Sequence, residues 1–235
     1  ICWNRLVAVE AFCIERIRNF ALLLGTDVPS SFVECLKDKF PPVRRFAIEG
    51  FRIMAEHHLK LESVHGAAHL RAIALNDTDW RLRAEAARTL ATLGERALPE
   101  LIVILAESTF WPVRCEAAVS LGSLEEWKHE DFPESQAQAA SRALEAALGD
   151  RLPGVRESAA KGLGMMGTYA LGAVHQLILL SRDADLRVRI AAVAALGKIV
   201  GQAAPQQHRL HYEILMQKGD ISMIETGANF VDWLR

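Results

Sequence analysis

Gly162, Gly164 and Gly167 follow the order Gly-x-Gly-x-x-Gly. That spacing lets backbone amides cradle a pyrophosphate where a strand turns into a helix. Here the glycines fall inside a segment of helical periodicity with Leu163 on its apolar face. Small residues at such spacing serve close helix packing instead, and no nucleotide is expected. His57, His58, His65 and His69 form a second candidate. The last two are spaced i, i+4, a geometry able to chelate a metal. No cysteine joins them, and neither Glu56 nor Glu62 is clearly placed on their face. They read as surface or loop histidines, and no metal is assigned. Neither a nucleophile elbow nor a zinc-protease motif is present. No catalytic residue, cofactor or enzyme activity is therefore expected.

The elements carrying these residues recur. Arg, two residues, Ala, three residues and Leu or Phe appear as Arg5/Ala8/Phe12, Arg44/Ala47/Phe51, Arg83/Ala86/Leu90, Arg114/Ala117/Leu121, Arg156/Ala159/Leu163 and Arg189/Ala192/Leu196. Successive arginines are separated by 39, 39, 31, 42 and 33 residues. Six places before the arginine stand Asp38, Asp77, Ser108, Asp150 and Asp183. Apolar residues at −1, +3, +7 and +10 lie on one helical face, and the invariant Ala at +3 permits close approach of a neighbour. The aspartates are expected to take up orphan amides at the helix start. Pro41, Pro42, Pro112 and Pro153 fall where a chain enters a helix. Gly94, Gly122, Gly149, Gly167 and Gly201 fall near helix ends.

A second amphipathic set alternates with the first, over Pro29–Lys39, Glu62–Leu75, Ala97–Glu107, Ser135–Leu148 and Tyr169–Ser181. Each repeat is thus a pair of antiparallel helices, A then B. Neither helix buries its apolar face alone, so consecutive pairs must stack. The period breaks at the polar stretch Glu125–Pro133, expected as a loop, and again after residue 218. The array is assigned to residues 1–218. Residues 219–235, where Ser222 and Glu225 could form a capping box, are expected to be a cap or a degenerate unit.

The Asp-to-Val-Arg spacing and the Ala/Leu register resemble HEAT repeats of the armadillo-like superfamily, the two short periods being similar to those of bilin-lyase-type HEAT proteins. The resemblance covers residues 1 to 218. It implies an all-α, right-handed α-solenoid with B helices on the concave face. It also implies an Asp–Arg ladder between units, using Asp38/Arg44, Asp77/Arg83, Asp150/Arg156 and Asp183/Arg189, with the charged link in doubt at Ser108. One enzyme family on this fold, deoxyhypusine hydroxylase, binds iron through repeated His-Glu dipeptides. This sequence has one such pair, His129-Glu130, which argues against that activity.

Composition narrows the partners. Hydrophobic residues make up 51% of 235, and the formal net charge is −2, so no global charge calls for nucleic acid or an anionic membrane. No apolar run has the length of a membrane span. Cys2, Cys13, Cys35 and Cys115 show no paired spacing, which fits free thiols and an intracellular, cytoplasmic setting. The chain begins at Ile1 in mid-pattern and is taken as a fragment. Asn76-Asp77-Thr78 matches a glycosylation sequon and is read as a chance match in an interhelical turn. Along the B helices the outward positions carry mixed signs, among them Arg45, Glu49, Glu85, Arg88, Glu116, Glu157 and Lys161. Arg45/Glu49 and Glu157/Lys161 are spaced to pair within a helix. Such a ridge suits protein recognition better than a phosphate track, which needs continuous positive charge. Trp80 and Trp111 both stand three places before the arginine, with Arg81 adjoining. They are expected either to cover helix-pair ends or to anchor a partner. The function expected is a protein-binding scaffold. The alternatives are an accessory subunit of a bilin-lyase-type enzyme, and a DNA-binding HEAT protein relying on Arg81, Arg187 and the tryptophans.

Overall fold

The computed structural model describes residues 30–56, 64–124 and 133–202, and every regular element among them is helical. The chain divides into two compact units, Ile1–Leu124 and Glu125–Arg235. The first holds α1 (Ser30–Cys35), α2 (Pro41–Glu56), α3 (Val64–Asn76), α4 (Trp80–Thr92), a 3-10 turn (Gly94–Ala97), α5 (Leu98–Glu107) and α6 (Trp111–Gly122). The second holds α7 (Glu134–Ala147), α8 (Pro153–Met166), a 3-10 segment (Gly167–Ala173), α9 (Val174–Leu180) and α10 (Leu186–Gln202). The copy at Arg5, the loop Glu125–Phe132, His57, His58 and the tail 219–235 lie outside the described residues.

Each B helix begins three residues before its arginine, by one of two devices. Proline fixes φ and needs no amide partner at the first turn; it opens α2 and α8 and stands second in α6. At the other two starts an aspartate accepts the orphan amide: Asp79 from Arg81 N–H at 2.9 Å, and Asp185 from Arg187 N–H at 2.9 Å. The aspartates six places before the arginine, expected as caps, do something else. Their side chains close the turn ahead of the helix, accepting from the amide two residues on. These bonds are Asp38 to Phe40, Asp77 to Asp79, Asp150 to Leu152 and Asp183 to Asp185, all at 2.8 Å. Such local bonds compete with helix and suit a turn.

The repeated apolar positions form the cores. Ala47, Ala86 and Ala117 are buried with Phe51, Leu90 and Leu121 in the first unit, and Ala159 and Ala192 with Leu163 and Leu196 in the second. In the first unit the B helices α2, α4 and α6 pack side by side, while α3 lies on α5 in a second layer. Ile48, Leu70, Leu101 and Ile104 fill the space between the layers, each such burial stabilising by about 1.5–3 kcal/mol. In the second unit α8 packs against both α7 and α10. Close approach explains two glycines: a Cβ on Gly66 would collide with the Phe51 ring, and one on Gly164 would lie 2.8 Å from Ala195 Cα. Gly164, at the centre of the Gly-x-Gly-x-x-Gly run, thus serves close packing of α8 on α10, while Gly167 lies just beyond the end of α8.

Three second-set helices differ from their expected spans. Pro29–Lys39 contains only Ser30–Cys35 as helix, ending in turns where Lys37 and Asp38 amides bond Glu34 and Cys35 carbonyls. Ala97–Glu107 is preceded by the 3-10 turn, whose Gly94 has φ 67°. Tyr169–Ser181 is divided between the 3-10 segment, in which Ala170 leaves helical dihedrals (φ −99°, ψ 16°), and α9, and Gly167 ahead of it adopts φ 61°, ψ −126°. Glycine alone enters that region without strain. Pro153–Leu180 is the one described stretch long and apolar enough to cross a membrane by composition. The same glycine interrupts it, and its first part, α8, is packed between α7 and α10.

Candidate protein-binding site

Rungs of charge tie consecutive repeats together, but not in the expected register. Arg44 of α2 donates through Nε (2.6 Å) and Nη2 (2.8 Å) to the carboxylate of Asp77, before α4. Arg156 of α8 grips Asp183, before α10, with both donors at 2.8 Å. Within its own repeat each arginine takes a backbone oxygen instead: Arg44 Nη1 bonds Asp38 O at 2.7 Å, Arg114 bonds Ser108 O at 2.8 Å, Arg156 bonds Asp150 O at 2.9 Å, and Arg189 bonds Asp183 O at 2.8 Å. The ladder therefore links an arginine to the next repeat's aspartate. The reason is geometric: the aspartate's carboxylate leans out of its turn toward the preceding B helix, while its carbonyl faces its own. Arg156 lowers the pKa of Asp183 through these hydrogen bonds, against an opposing effect of burial.

On the outward face of the first unit, a second set of charges runs between B helices. Arg45 Nε lies 3.9 Å from Glu85, and Arg88 Nε donates to Glu116 at 2.7 Å. Glu49 receives Arg52 Nε at 2.8 Å. Burial raises the pKa of Glu85, with Arg45 pulling the other way. The hydrogen bond to Glu116 raises that of Arg88. In the second unit Glu157 pairs with Lys161 at 2.6 Å, as its spacing implies, and lies 4.0 Å from Arg187. The structure thus brings Arg45, Glu49, Glu85, Arg88 and Glu116 together on one face, and Glu157 and Lys161 on a face of the other unit.

At the head of this face are the aromatics. Trp80 and Trp111 are the first residues of α4 and α6 and remain 52% and 47% exposed. Ala84 and Cys115 follow one turn later on the same stripe. Arg81 lies 5.6 Å over the Trp80 ring, and Trp80 meets Phe110 with ring centroids 6.2 Å apart. Phe110 was not among the residues singled out from the sequence, and neither was Phe40, 56% exposed at the same offset from its arginine. The available signal was an aromatic residue at a helix-start position where a polar cap is usual. In the second unit Leu186 and Ile190 on α10 are likewise exposed.

Elsewhere in the second unit, a groove of about 660 Å³ between α7 and the 3-10 segment is lined by Glu134, Gln138, Arg142, Thr168 and Tyr169. Ser141 in its wall is buried and donates to Glu145 at 2.9 Å. Among the described residues no three His, Cys, Asp or Glu side chains gather as a metal site. Cys35 is a free thiol.

Stacked helix pairs joined by arginine–aspartate rungs define a helical-repeat protein. The family model for HEAT repeats matches residues 67–140, and the all-helical fold matches that of repeat proteins. The complex of CpcE and CpcF of phycocyanin lyase from Nostoc sp. PCC7120 is similar at 23% identity and a TM-score of 0.51, over 71% of this chain and 96% of that one. An engineered protein is similar at 22% identity and a TM-score of 0.49, over 80% of this chain and 90% of that one. At these identities the first likeness concerns the fold alone, and the second carries no further weight. No curated protein matches the sequence.

Proposed function

We propose that the chain is a scaffold that binds another protein across the outward B-helix face of its first unit. The observation carrying this reading is the pair Trp80 and Trp111, half exposed at one register of consecutive B helices. The same face has its charges matched pairwise, as in Arg45–Glu85 and Arg88–Glu116. Large aromatics ringed by polar groups are the composition of an interface centre and its rim. The test is the double variant Trp80→Ala/Trp111→Ala, compared with wild type for captured partners and for melting. Binding weaker by about tenfold or more with near-native melting is expected. Collapse of melting would make the tryptophans packing residues, and unchanged affinity in a well-folded variant would exclude this face.

A second reading, an accessory subunit of a lyase acting with a partner solenoid, is favoured by the fold likeness to the CpcE–CpcF complex. Addition of a linear tetrapyrrole separates the two. Saturable absorbance changes on the chain would support the lyase reading, and their absence the scaffold.

A further inference from the structure

One rung of the ladder differs from the others. Where α4 should face an aspartate, it faces Ser108, which is 3% exposed. Arg83 therefore lacks the two-pronged partner that Arg44 and Arg156 have. Its Nε turns to Ala74 O at 3.1 Å, and Nη2 reaches only Ser108 Oγ, at 3.4 Å. No described residue supplies a carboxylate to it. The guanidinium instead lies 5.4 Å over the Phe110 ring. Phe110 meets Trp80, and Trp80 carries Arg81 at 5.6 Å. Arg81, exposed, likewise has no carboxylate side chain paired with it among the described residues. Asp77 is held by Arg44, and Asp79 accepts the Arg81 amide. The order Arg81, Trp80, Phe110, Arg83 thus sets two cations around two aromatic rings.

We propose that this broken rung is a carboxylate-binding site. The partner docking on the first unit supplies an aspartate or glutamate side chain to Arg83, with an apolar neighbour laid on Trp80 and Phe110. The inference rests on the scaffold reading and specifies its partner as an acidic, apolar peptide segment. A guanidinium bonded only to neutral oxygens favours a carboxylate that arrives, since the ion pair adds Coulombic attraction and a two-pronged geometry. The aromatic faces hold the cations in place. Nucleic acid fits less well: the flanking cations Arg45 and Arg88 are already paired, so a phosphate backbone finds no track.

The test pans phage-displayed random dodecapeptides on the whole chain and measures a synthetic consensus peptide by calorimetry. The expected consensus has an acidic residue within a few positions of an aromatic or aliphatic one. Changing that residue to its amide should weaken binding by about tenfold or more. Ser108→Asp, which fills the rung from within, should weaken the unmodified peptide to a similar degree while melting no lower than wild type. Ser108→Asn, similar in shape without the charge, should weaken it less. Selection of peptides without acidic residues, no enrichment at all, or equal affinity for Ser108→Asp and wild type would each overturn the inference. If non-acidic peptides are selected and still depend on Trp80 and Trp111, the scaffold reading stands and only the carboxylate site falls.

Discussion

Arg44 holds the carboxylate of Asp77, 33 residues further along the chain, with two donors at 2.6 and 2.8 Å, and both side chains are largely shielded from water. Exposed ion pairs contribute little, but a shielded, two-pronged pair leaves an unpaired guanidinium when the carboxylate is removed. Asp77→Ala should cost about 2–4 kcal/mol. Asp77→Asn should cost less, because the amide oxygen still accepts the Asp79 N–H that closes the turn. Urea unfolding of both variants checks this. A loss in Asp77→Ala no larger than that of an exposed change such as Glu107→Ala would mean that the rung adds nothing to stability.

Ser108 offers the converse experiment. The repeat places an aspartate here in the other described copies, so Ser108→Asp has backbone geometry suited to a carboxylate facing Arg83. A completed rung should stabilise the chain by about 1–2 kcal/mol, read as a rise in Tm. The neutral Ser108→Asn should gain little. A fall in Tm for Ser108→Asp would show that the turn before α6 does not aim its side chain as those before α4 and α10 do.

The repeat register was legible because packing demands it: Ala86, Ala117 and Ala159 are buried where the periodicity puts them, and each B helix opens three residues before its arginine. The partner of each arginine was not legible. One aspartate and one arginine per repeat allow pairing within a repeat or across two, and only the direction of the turn distinguishes Asp38 from Asp77 as the carboxylate for Arg44. The exposure of Trp80 and Trp111 was legible as an offset but not as a degree. Phe110, adjacent to Trp111, is less exposed and packs on Trp80, which depends on how α4 and α6 meet. Gly167 ends α8 as its position predicts, but that a 3-10 segment follows, with Ala170 outside helical dihedrals, has no signal in the sequence.

Gly164 distinguishes helix propensity from packing. In an isolated helix Gly→Ala is favourable by about 1 kcal/mol. On α8 the added Cβ would lie 2.8 Å from Ala195 Cα and 3.0 Å from Ala195 Cβ, where a backbone must shift. Gly164→Ala should therefore destabilise by about 1–3 kcal/mol. Gly149→Ala, with 3.5 Å to Ala146 O, should change stability by much less. A stabilising Gly164→Ala would show that α8 and α10 separate at little cost.

Acid should attack the ladder at Asp183. Arg156 holds this carboxyl below its ordinary value of 3.8, chiefly by hydrogen bonding, with the Asp185 amide adding to the effect and burial opposing it. A depressed folded pKa means that the unfolded chain takes up the proton first as pH falls. The rung's contribution is therefore full above the ordinary aspartate value and is lost as pH falls through the depressed folded value. Glu85 has the opposite sign: burial raises its pKa, so its contribution is present below the ordinary glutamate value and is lost as pH rises through the raised one. The stability deficit of Asp183→Asn relative to wild type should be largest at neutral pH and shrink in acid. Glu85→Gln should compare better with wild type at neutral pH than in acid, once the unfavourable ionisation of the half-buried carboxyl is removed. Urea midpoints of the three proteins from pH 7 downward provide the check. An Asp183→Asn deficit that stays constant into strong acid would show that the carboxyl is not depressed, and that Arg156 binds it no more tightly than water does.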